Sequence, residues 1–285
     1  MIEVNSLVNL LKKNKTNFFT GVPDSVLKEL SSFIQKKNKN QHIIASNEGA
    51  AVSIGIGHYL STKKIPAVYM QNSGLSNALN PLISIAHKQV YSIPLILIIG
   101  WRGSPHVKDE PQHSVKGKIT EQILRLLKIK YTILRSLSDI KKFDKQIKLA
   151  RKNKSIVACL IEQGTLEKTK NIKNKKDFYS LDKELFLKNL LENLKRNTKI
   201  ISSTGYNSRE LIYLREKYKF KNNKDFYMVG GMGHTSSVAL GYSLNTKNKT
   251  ICIDGDGSLL MHLGAIKTLG TFAKKNFKYI LLNNN

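Results

Sequence analysis

The sequence predicts an α/β protein made of two three-layer α/β/α domains with mostly parallel sheets. Its 285 residues correspond to about two domains at roughly 100–200 residues each, and a 41% hydrophobic share is enough to build their cores. Short apolar, β-branched runs alternate with segments of helical period along the whole chain. Those runs carry little polar alternation, as expected of strands covered on both faces by helices.

Taken in order, residues 2–12 open with a helix, FFTGV (18–22) is a strand and SVLKELSSFIQKK (25–37) a helix. HIIAS (42–46) leads into the helix EGAAVSIGIGHYL (48–60), PAVYMQN (66–72) into GLSNALNPLISIAHK (74–88), and PLILIIGW (94–101) into a polar loop through His113. The strand KYTIL (130–134), a helix over 139–152 and the strand SIVACLIEQ (155–163) complete a first domain, 1–166. Residues 167–180 turn to Lys, Asn and Thr with few apolar positions, the composition of a linker. A second domain, 181–285, follows: helix 184–195, strand KIISST (199–204), helix 208–218, strand DFYMVGG (225–231), helix 234–244, strand TICID (250–254), helix 259–274 and strand FKYILLN (277–283). A last strand running into Asn-Asn-Asn has no helix after it to cover the sheet. The second domain is therefore expected to be incomplete at its C-terminal side.

Composition removes several function classes. Aromatic residues at 8%, charged residues at 24% and six prolines exclude collagen-like, mucin-like and wholly disordered chains. No apolar run reaches the ~18 residues of a membrane span, and the start lacks the pattern of a secretory signal, so a cytoplasmic protein is expected. Cys159 and Cys252 lie in strand-like runs and read as small core residues. The formal charge of +27 raises nucleic acid as a partner. Lysine, however, supplies 40 of the 47 basic residues and is dispersed among asparagines without interleaved aromatics. That pattern describes a solvated surface with a general attraction for small anions, so neither nucleic acid nor membrane is expected as a partner.

The most specific chemical signal is Gly255-Asp256-Gly257-Ser258 after the strand TICID, with Asn284 placed 28 residues after Asp256 at the end of FKYILLNNN. In a parallel sheet, ligands gather outside the carboxyl ends of strands. A carboxylate and an amide oxygen from two such ends suit Mg²⁺ or Ca²⁺. Gly257 allows close backbone approach, and Ser258 with the amides opening the next helix suits phosphate oxygens. Alone, such a segment also describes an ordinary turn.

The spacing of Gly-Asp-Gly and Asn-Asn resembles the signature of the thiamine diphosphate enzymes, and other parts of that pattern occur in order. Ser46-Asn47-Glu48-Gly49-Ala50-Ala51 puts Glu48 at a strand-to-helix junction, where the resemblance implies the acid that meets the cofactor's aminopyrimidine. A first-turn glutamate complementing the helix dipole is the plainer reading. Val229-Gly230-Gly231-Met232-Gly233-His234 matches the segment that, in these enzymes, gives a carbonyl (Gly230) and an apolar wedge (Met232) to the bent cofactor, although a glycine-rich turn with a core methionine would look the same. Neither Gly55-Ile56-Gly57 nor Gly231-Met232-Gly233 has the third glycine of a dinucleotide-binding fingerprint.

Within that group the chain is most similar to the phosphonopyruvate decarboxylases. The likeness rests on Gly21-Val22-Pro23-Asp24-Ser25, the Glu48 segment, Gln71-Asn72-Ser73-Gly74-Leu75, residues 101–113 from Trp101-Arg102-Gly103 to Gln112-His113, and Thr204-Gly205-Tyr206 with Ser208-Arg209-Glu210. The resemblance implies decarboxylation of 3-phosphonopyruvate to phosphonoacetaldehyde with thiamine diphosphate and Mg²⁺, in phosphonate biosynthesis. It assigns catalysis to Glu48, Asp24 and His113. Cofactor binding falls to Glu48, Asn72, Ser73, Gly230, Met232, Asp256, Gly257, Ser258 and Asn284, and metal ligation to Asp256 and Asn284. Substrate binding falls to Asp24, Ser25, Arg102, Gln112 and His113, with Lys108 as a further cation and Gln71 lining the pocket. Asp24 also fits a helix N-cap, His113 a surface loop, and Arg102 and Lys108 ordinary loop cations. The resemblance implies a homodimer or higher oligomer with the site between subunits. Sulfopyruvate decarboxylases look similar but typically divide the two halves between chains, so fusion of both halves favours the phosphonate. Other 2-oxoacid decarboxylases, an inactive truncated protein and a basic nucleic-acid-binding protein on the same scaffold remain open.

Overall fold

A computed structural model describes residues 1–38, 40–168, 182–195, 197–221 and 225–283. The chain divides into two compact units, Met1–Asn171 and Ile172–Asn285. Most of the linker expected over 167–180 lies outside the described residues.

The first unit runs α1 (Val4–Lys13), β1 (Phe19–Gly21), α2 (Lys28–Ile34), β2 (His42–Ile44), α3 (Glu48–Thr62), β3 (Ala67–Gln71), α4 (Leu75–Pro81), β4 (Ile96–Trp101), α5 (Ser114–Leu126), β5 (Lys130–Leu134), α6 (Leu137–Asn153) and β6 (Val157–Glu162). Its six strands form one sheet in the order β2-β1-β3-β4-β6-β5, every pairing parallel. Strand side chains alternate between faces, and the two cores divide accordingly. Phe19, Tyr69, Ile98 and Cys159 pack with Leu7 and Leu11 of α1, Leu30 of α2 and Phe143 of α6. Val68, Met70, Leu97 and Leu160 pack on the other side with Ala51 and Val52 of α3, Ala78 of α4 and Leu124 of α5. This is the expected three-layer arrangement.

The second unit comprises α7 (Lys183–Glu192), β7 (Lys199–Ser202), α8 (Tyr206–Lys217), β8 (Phe226–Tyr227), α9 (Thr235–Leu244), β9 (Thr250–Gly255), α10 (Asp256–Met261), α11 (Ala265–Phe272) and β10 (Phe277–Leu282). The strand order is β10-β9-β7-β8, again all parallel. Leu187 and Leu191 of α7 and Leu211 and Leu214 of α8 cover one face with Ile200, Ile251 and Ile253. Ala239 of α9 covers the other with Ile201 and Cys252. Both cysteines are buried and unpaired. Among the described residues, no helix is long and apolar enough to cross a membrane.

Two elements differ from the sequence expectation. α5 forms over a stretch after the polar loop to which the sequence assigned no element, and its buried positions, Gly117, Thr120 and Leu124, make a narrow stripe on an otherwise mixed helix. The helix expected over 259–274 is broken at His262–Gly264 into α10 and α11. The break lies where the Gly233 turn presses on that segment: a Cβ on Gly233 would come within 2.5 Å of the His262 ring and 2.9 Å of Met261 Cβ.

α5 docks by backbone contact. Trp101 Nε1 donates to the Gly117 carbonyl at 2.9 Å, and a Cβ on Gly117 would lie 1.6 Å from the Gly103 carbonyl oxygen. Gly117→Ala is therefore expected to destabilise the first unit by about 2 kcal/mol or more through overpacking. Trp101 is the sole tryptophan. Its fluorescence during urea titration should show a lowered midpoint, and an unchanged midpoint would refute this docking.

Candidate active site

Parallel pairing points every strand of a unit the same way, so the candidate residues collect at the carboxyl ends of the strands. In the first unit the buried acid is Glu48, 3% exposed, at the first position of α3. Asn47 caps that helix, its Oδ1 accepting from Ala50 N–H at 2.8 Å. The Glu48 carboxyl lies against Gly74, where a Cβ would be 2.3 Å from both Cγ and Oε1. Asn77 Nδ2 donates to Glu48 Oε2 at 2.8 Å.

A second buried carboxyl follows β1. Asp24, 8% exposed, accepts at Oδ2 from the N–H groups of Val26 and Leu27 (3.1 and 3.3 Å) and at Oδ1 from Gln71 Nε2 (2.7 Å). Ser73 Oγ donates to Gln71 Oε1 at 2.6 Å, so the chain Asp24–Gln71–Ser73 links the ends of β1 and β3. Burial pushes the Asp24 carboxyl above the ordinary carboxylate range, against the opposing effects of Gln71, Leu27, Val26 and Arg102. The backbone bonds to Val26 and Leu27 brace the turn ahead of α2, whose N-cap is Leu27 and not Asp24, and the bond to Gln71 adds a long-range tie.

Asn72, expected to contact the cofactor, is engaged with the first unit itself. Its Nδ2 donates to the Arg102 carbonyl and to Thr120 Oγ1, both at 2.9 Å, while its Oδ1 accepts from Arg102 N–H at 3.1 Å. The amide thus ties the ends of β3 and β4 to α5. Arg102 is likewise engaged within its own loop. Asp109 grips its guanidinium with both oxygens, at 2.7 and 2.6 Å, and Glu110 lies 3.5 Å away. The hydrogen-bonded guanidinium holds Asp109 well below the usual carboxylate range. Arg102 Nη1 still reaches Ser25 Oγ at 3.3 Å. Lys108 is exposed. Gln112 donates to Glu110 Oε2 at 2.7 Å, and His113 Nε2 stands 3.6 Å from the same oxygen. Burial and then the neighbouring Arg102 lower the His113 pKa, outweighing attraction from the acids. Asp109, Glu110 and His113 are close enough to offer three ligand atoms together, but the Arg102 clamp on Asp109 places a cation where a metal would have to compete.

In the second unit, β10 pairs with β9 in a register that sets Leu282 beside Gly255. The strand end carrying Asn283 therefore lies beside the turn carrying Asp256. Asn284 lies outside the described residues. Asp256 is partly exposed at the start of α10. Ser258 is buried, and its Oγ accepts from Gly233 N–H at 3.0 Å, joining the Met232 turn to the Gly-Asp-Gly-Ser turn. A Cβ on Gly257 would come within 3.0 Å of Met232 Cε. Met232 is 41% exposed, and Gly230 has open space around it. Two side chains were missed by sequence reasoning. Asn77 has no local signature, its partner being 29 positions away. Asn207 Nδ2 donates to Ser203 Oγ at 3.0 Å and lies 3.4 Å from the Cβ position of Gly255; its place in the segment Thr204–Glu210 was the available signal.

Two parallel-sheet units, one with a buried acid at a strand-to-helix junction and the other with a Gly-Asp-Gly-Ser turn beside a second strand end, define the thiamine diphosphate-binding class. The N-terminal TPP binding domain of thiamine pyrophosphate enzymes matches residues 4–124 and the C-terminal TPP binding domain residues 204–285. The chain is 30% identical to a phosphonopyruvate decarboxylase of Streptomyces viridochromogenes, over 93% of this chain and 69% of that protein. It is 25% identical to a sulfopyruvate decarboxylase of Methanosarcina acetivorans, over 98% of this chain and 74% of that one. It is 39% identical to the sulfopyruvate decarboxylase subunit beta of Methanocaldococcus jannaschii, over 35% of this chain and 50% of the subunit. The chain belongs to the phosphonopyruvate decarboxylase family of thiamine diphosphate-dependent decarboxylases.

The raised Asp24 pKa has a consequence for stability. An acid whose folded pKa lies above its unfolded value binds a proton more tightly when folded, so folding loses stability as pH rises from the ordinary carboxylate value through the folded one. Asp24→Asn removes that slope and keeps an acceptor for Val26 and Leu27. Urea midpoints above the folded pKa should be higher for the variant than for the native protein, and the difference should shrink toward pH 4. A pH-independent difference would refute the desolvation account.

Proposed function

We propose that this chain decarboxylates 3-phosphonopyruvate to phosphonoacetaldehyde and CO₂ with thiamine diphosphate and Mg²⁺, as a step of organic phosphonate biosynthesis. The observation that carries this reading is the 30% identity to a phosphonopyruvate decarboxylase along 93% of the chain, spanning the acid of the first unit and the Gly-Asp-Gly-Ser turn of the second. Fusion of the two halves no longer argues for the phosphonate, because a sulfopyruvate decarboxylase aligns with 98% of this chain. The greater identity to the phosphonate enzyme is what favours it.

The residues present fit the cofactor. Glu48 is a buried carboxyl with a neutral amide on one oxygen. Met232 lies against a glycine that leaves it room, and Asp256 is a hard oxygen donor suited to Mg²⁺. In this reading Asp256 and Asn284 hold the metal, and Gly257 and Ser258 lie at the diphosphate. Gly230 would supply a carbonyl to the aminopyrimidine, and Met232 would pack against the cofactor. When bound, the cofactor's thiazolium takes up the electron pair left by CO₂. The chain's residues position and desolvate. Glu48 exchanges a proton with the aminopyrimidine, while Asn72 and Ser73 brace the wall around it. Asp24 and His113 orient the substrate and move protons, and Ser25, Arg102 and Gln112 face its anionic end. The working form is a homodimer or larger in the cytoplasm, the compartment that suits two unpaired cysteines.

Purified protein given phosphonopyruvate, sulfopyruvate and pyruvate should favour the first over pyruvate by at least about a hundredfold in kcat/KM, which is ~2.7 kcal/mol of transition-state discrimination. Faster turnover of sulfopyruvate would transfer the assignment to that substrate. Asp256→Ala should weaken Mg²⁺-dependent thiamine diphosphate binding by about 10–100-fold in calorimetric titration; equal binding would remove Asp256 from the metal.

A further inference from the structure

The contact between Asn77 and Glu48 is a built arrangement. Asn77 lies on α4, where its Nδ2 donates to Glu48 Oε2 at 2.8 Å. α4 is brought to the start of α3 by Gly49, where a Cβ would be 2.8 Å from the Asn77 carbonyl oxygen. The other carboxyl oxygen, Oε1, occupies the space left by the missing side chain of Gly74, and no hydrogen bond to it occurs among the described residues. The two oxygens of one buried carboxyl thus have different surroundings.

That difference has a chemical meaning. An amide N–H is only a donor, and an ionised carboxylate only an acceptor. In a protonated carboxyl the carbonyl-type oxygen accepts well and the hydroxyl oxygen accepts poorly. A donor fixed on Oε2 therefore makes Oε2 the acceptor in both protonation states and leaves Oε1 to carry the proton. We infer that Asn77 is a positioning residue that divides the Glu48 carboxyl, holding Oε2 as a fixed acceptor so that Oε1 is the oxygen that exchanges a proton with the aminopyrimidine ring nitrogen. The step balances as a transfer of one proton between Oε1 and that nitrogen, with no other bond made or broken. It also explains why position 74 is glycine, since any side chain there would displace the proton-bearing oxygen. The inference rests on the proposed meeting of Glu48 with thiamine diphosphate.

The test is a double cycle read by binding rather than turnover. Calorimetric titrations with Mg²⁺ compare thiamine diphosphate with its 1'-deaza analogue, in which CH replaces the ring nitrogen, on the native full chain, Asn77→Ala and Asn77→Asp. The native protein should bind thiamine diphosphate about tenfold or more tightly than the analogue, a difference of ~1.4 kcal/mol. Asn77→Ala should lose most of that preference, with analogue binding unchanged within about twofold. Asn77→Asp keeps the shape, replaces the donor by an acceptor and should lose the preference as well; it carries the test should the alanine variant fail to fold, as judged by Trp101 fluorescence. Equal weakening of both ligands would show a merely structural role, and an unchanged preference would show none; either overturns the inference alone. A native protein that does not distinguish the two ligands would overturn the proposed site together with it.

Discussion

A carboxyl group buried at the mouth of a parallel sheet is the constraint around which the first unit is arranged. Removing a carboxylate from water without a partner costs several kcal/mol, and among the described residues Glu48 has one hydrogen-bond partner, the Asn77 amide, on one oxygen. The rest of its accommodation is steric. Asn47 starts α3 by capping Ala50, which turns Glu48 inward at the first helical position. β3 then ends in a tight turn, Asn72–Gly74, that brings Gly74 under the carboxyl. Asn72 locks that turn to Arg102 and Thr120. A shift of β3 relative to β4, or of α5 on both, would thus move the floor beneath the acid. The tie between α5 and the Glu48 wall is carried by packed backbone, the Trp101 indole and the buried Asn72 amide.

The polar loop after β4 follows different physics. A chain of formal charge +27 has no shortage of cations, yet the arginine nearest Ser25 is gripped by Asp109 and approached by Glu110. Arg102 is therefore paired within its own loop, whatever the charge of the whole surface. Asp109 also accepts from Gly103 N–H at 2.7 Å, so the ion pair fixes the loop backbone as well as the guanidinium. Gly103 takes a left-handed φ of 66°, and a Cβ there would meet the His113 carbonyl oxygen at 2.0 Å. Ion pair and turn together hold His113 and Gln112 near Glu110.

What the sequence made legible follows from the range of the interactions involved. The two-unit α/β plan was readable because apolar runs buried on both faces leave a mark at every strand. The adjacency of β9 and β10 was readable because strand order limits where Gly255 and the final strand can meet, and the register of Leu282 with Gly255 agrees. α5 escaped because its buried stripe is only Gly117, Thr120 and Leu124, while apolar Val115, Ile119 and Leu126 of the same helix are exposed and blur the period. The break between α10 and α11 escaped because its cause, the Gly233 turn against His262, lies about thirty positions upstream. Asn77 and the Asp109 clamp on Arg102 were illegible for a related reason. Each residue type is common in loops and helices, and only the folded chain reveals which partner it meets.

The pairing of Arg102 with Asp109 bears on how the proposed site would tell a phosphonate from a sulfonate. A sulfonate stays singly ionised and carries no proton at neutral pH, so it can only accept hydrogen bonds. A phosphonate has a second ionisation near neutrality, comparable to that of a phosphate ester, and its monoanion presents both acceptors and an O–H donor. Facing Ser25 and Arg102 Nη1 alone, the two groups would look alike. Gln112, which the proposed reading also sets at that end, has an amide oxygen that can accept from a phosphonate O–H and has nothing to accept from a sulfonate. That oxygen would then favour the phosphonate, while the Asp109 clamp holds the Arg102 guanidinium in one place for either anion.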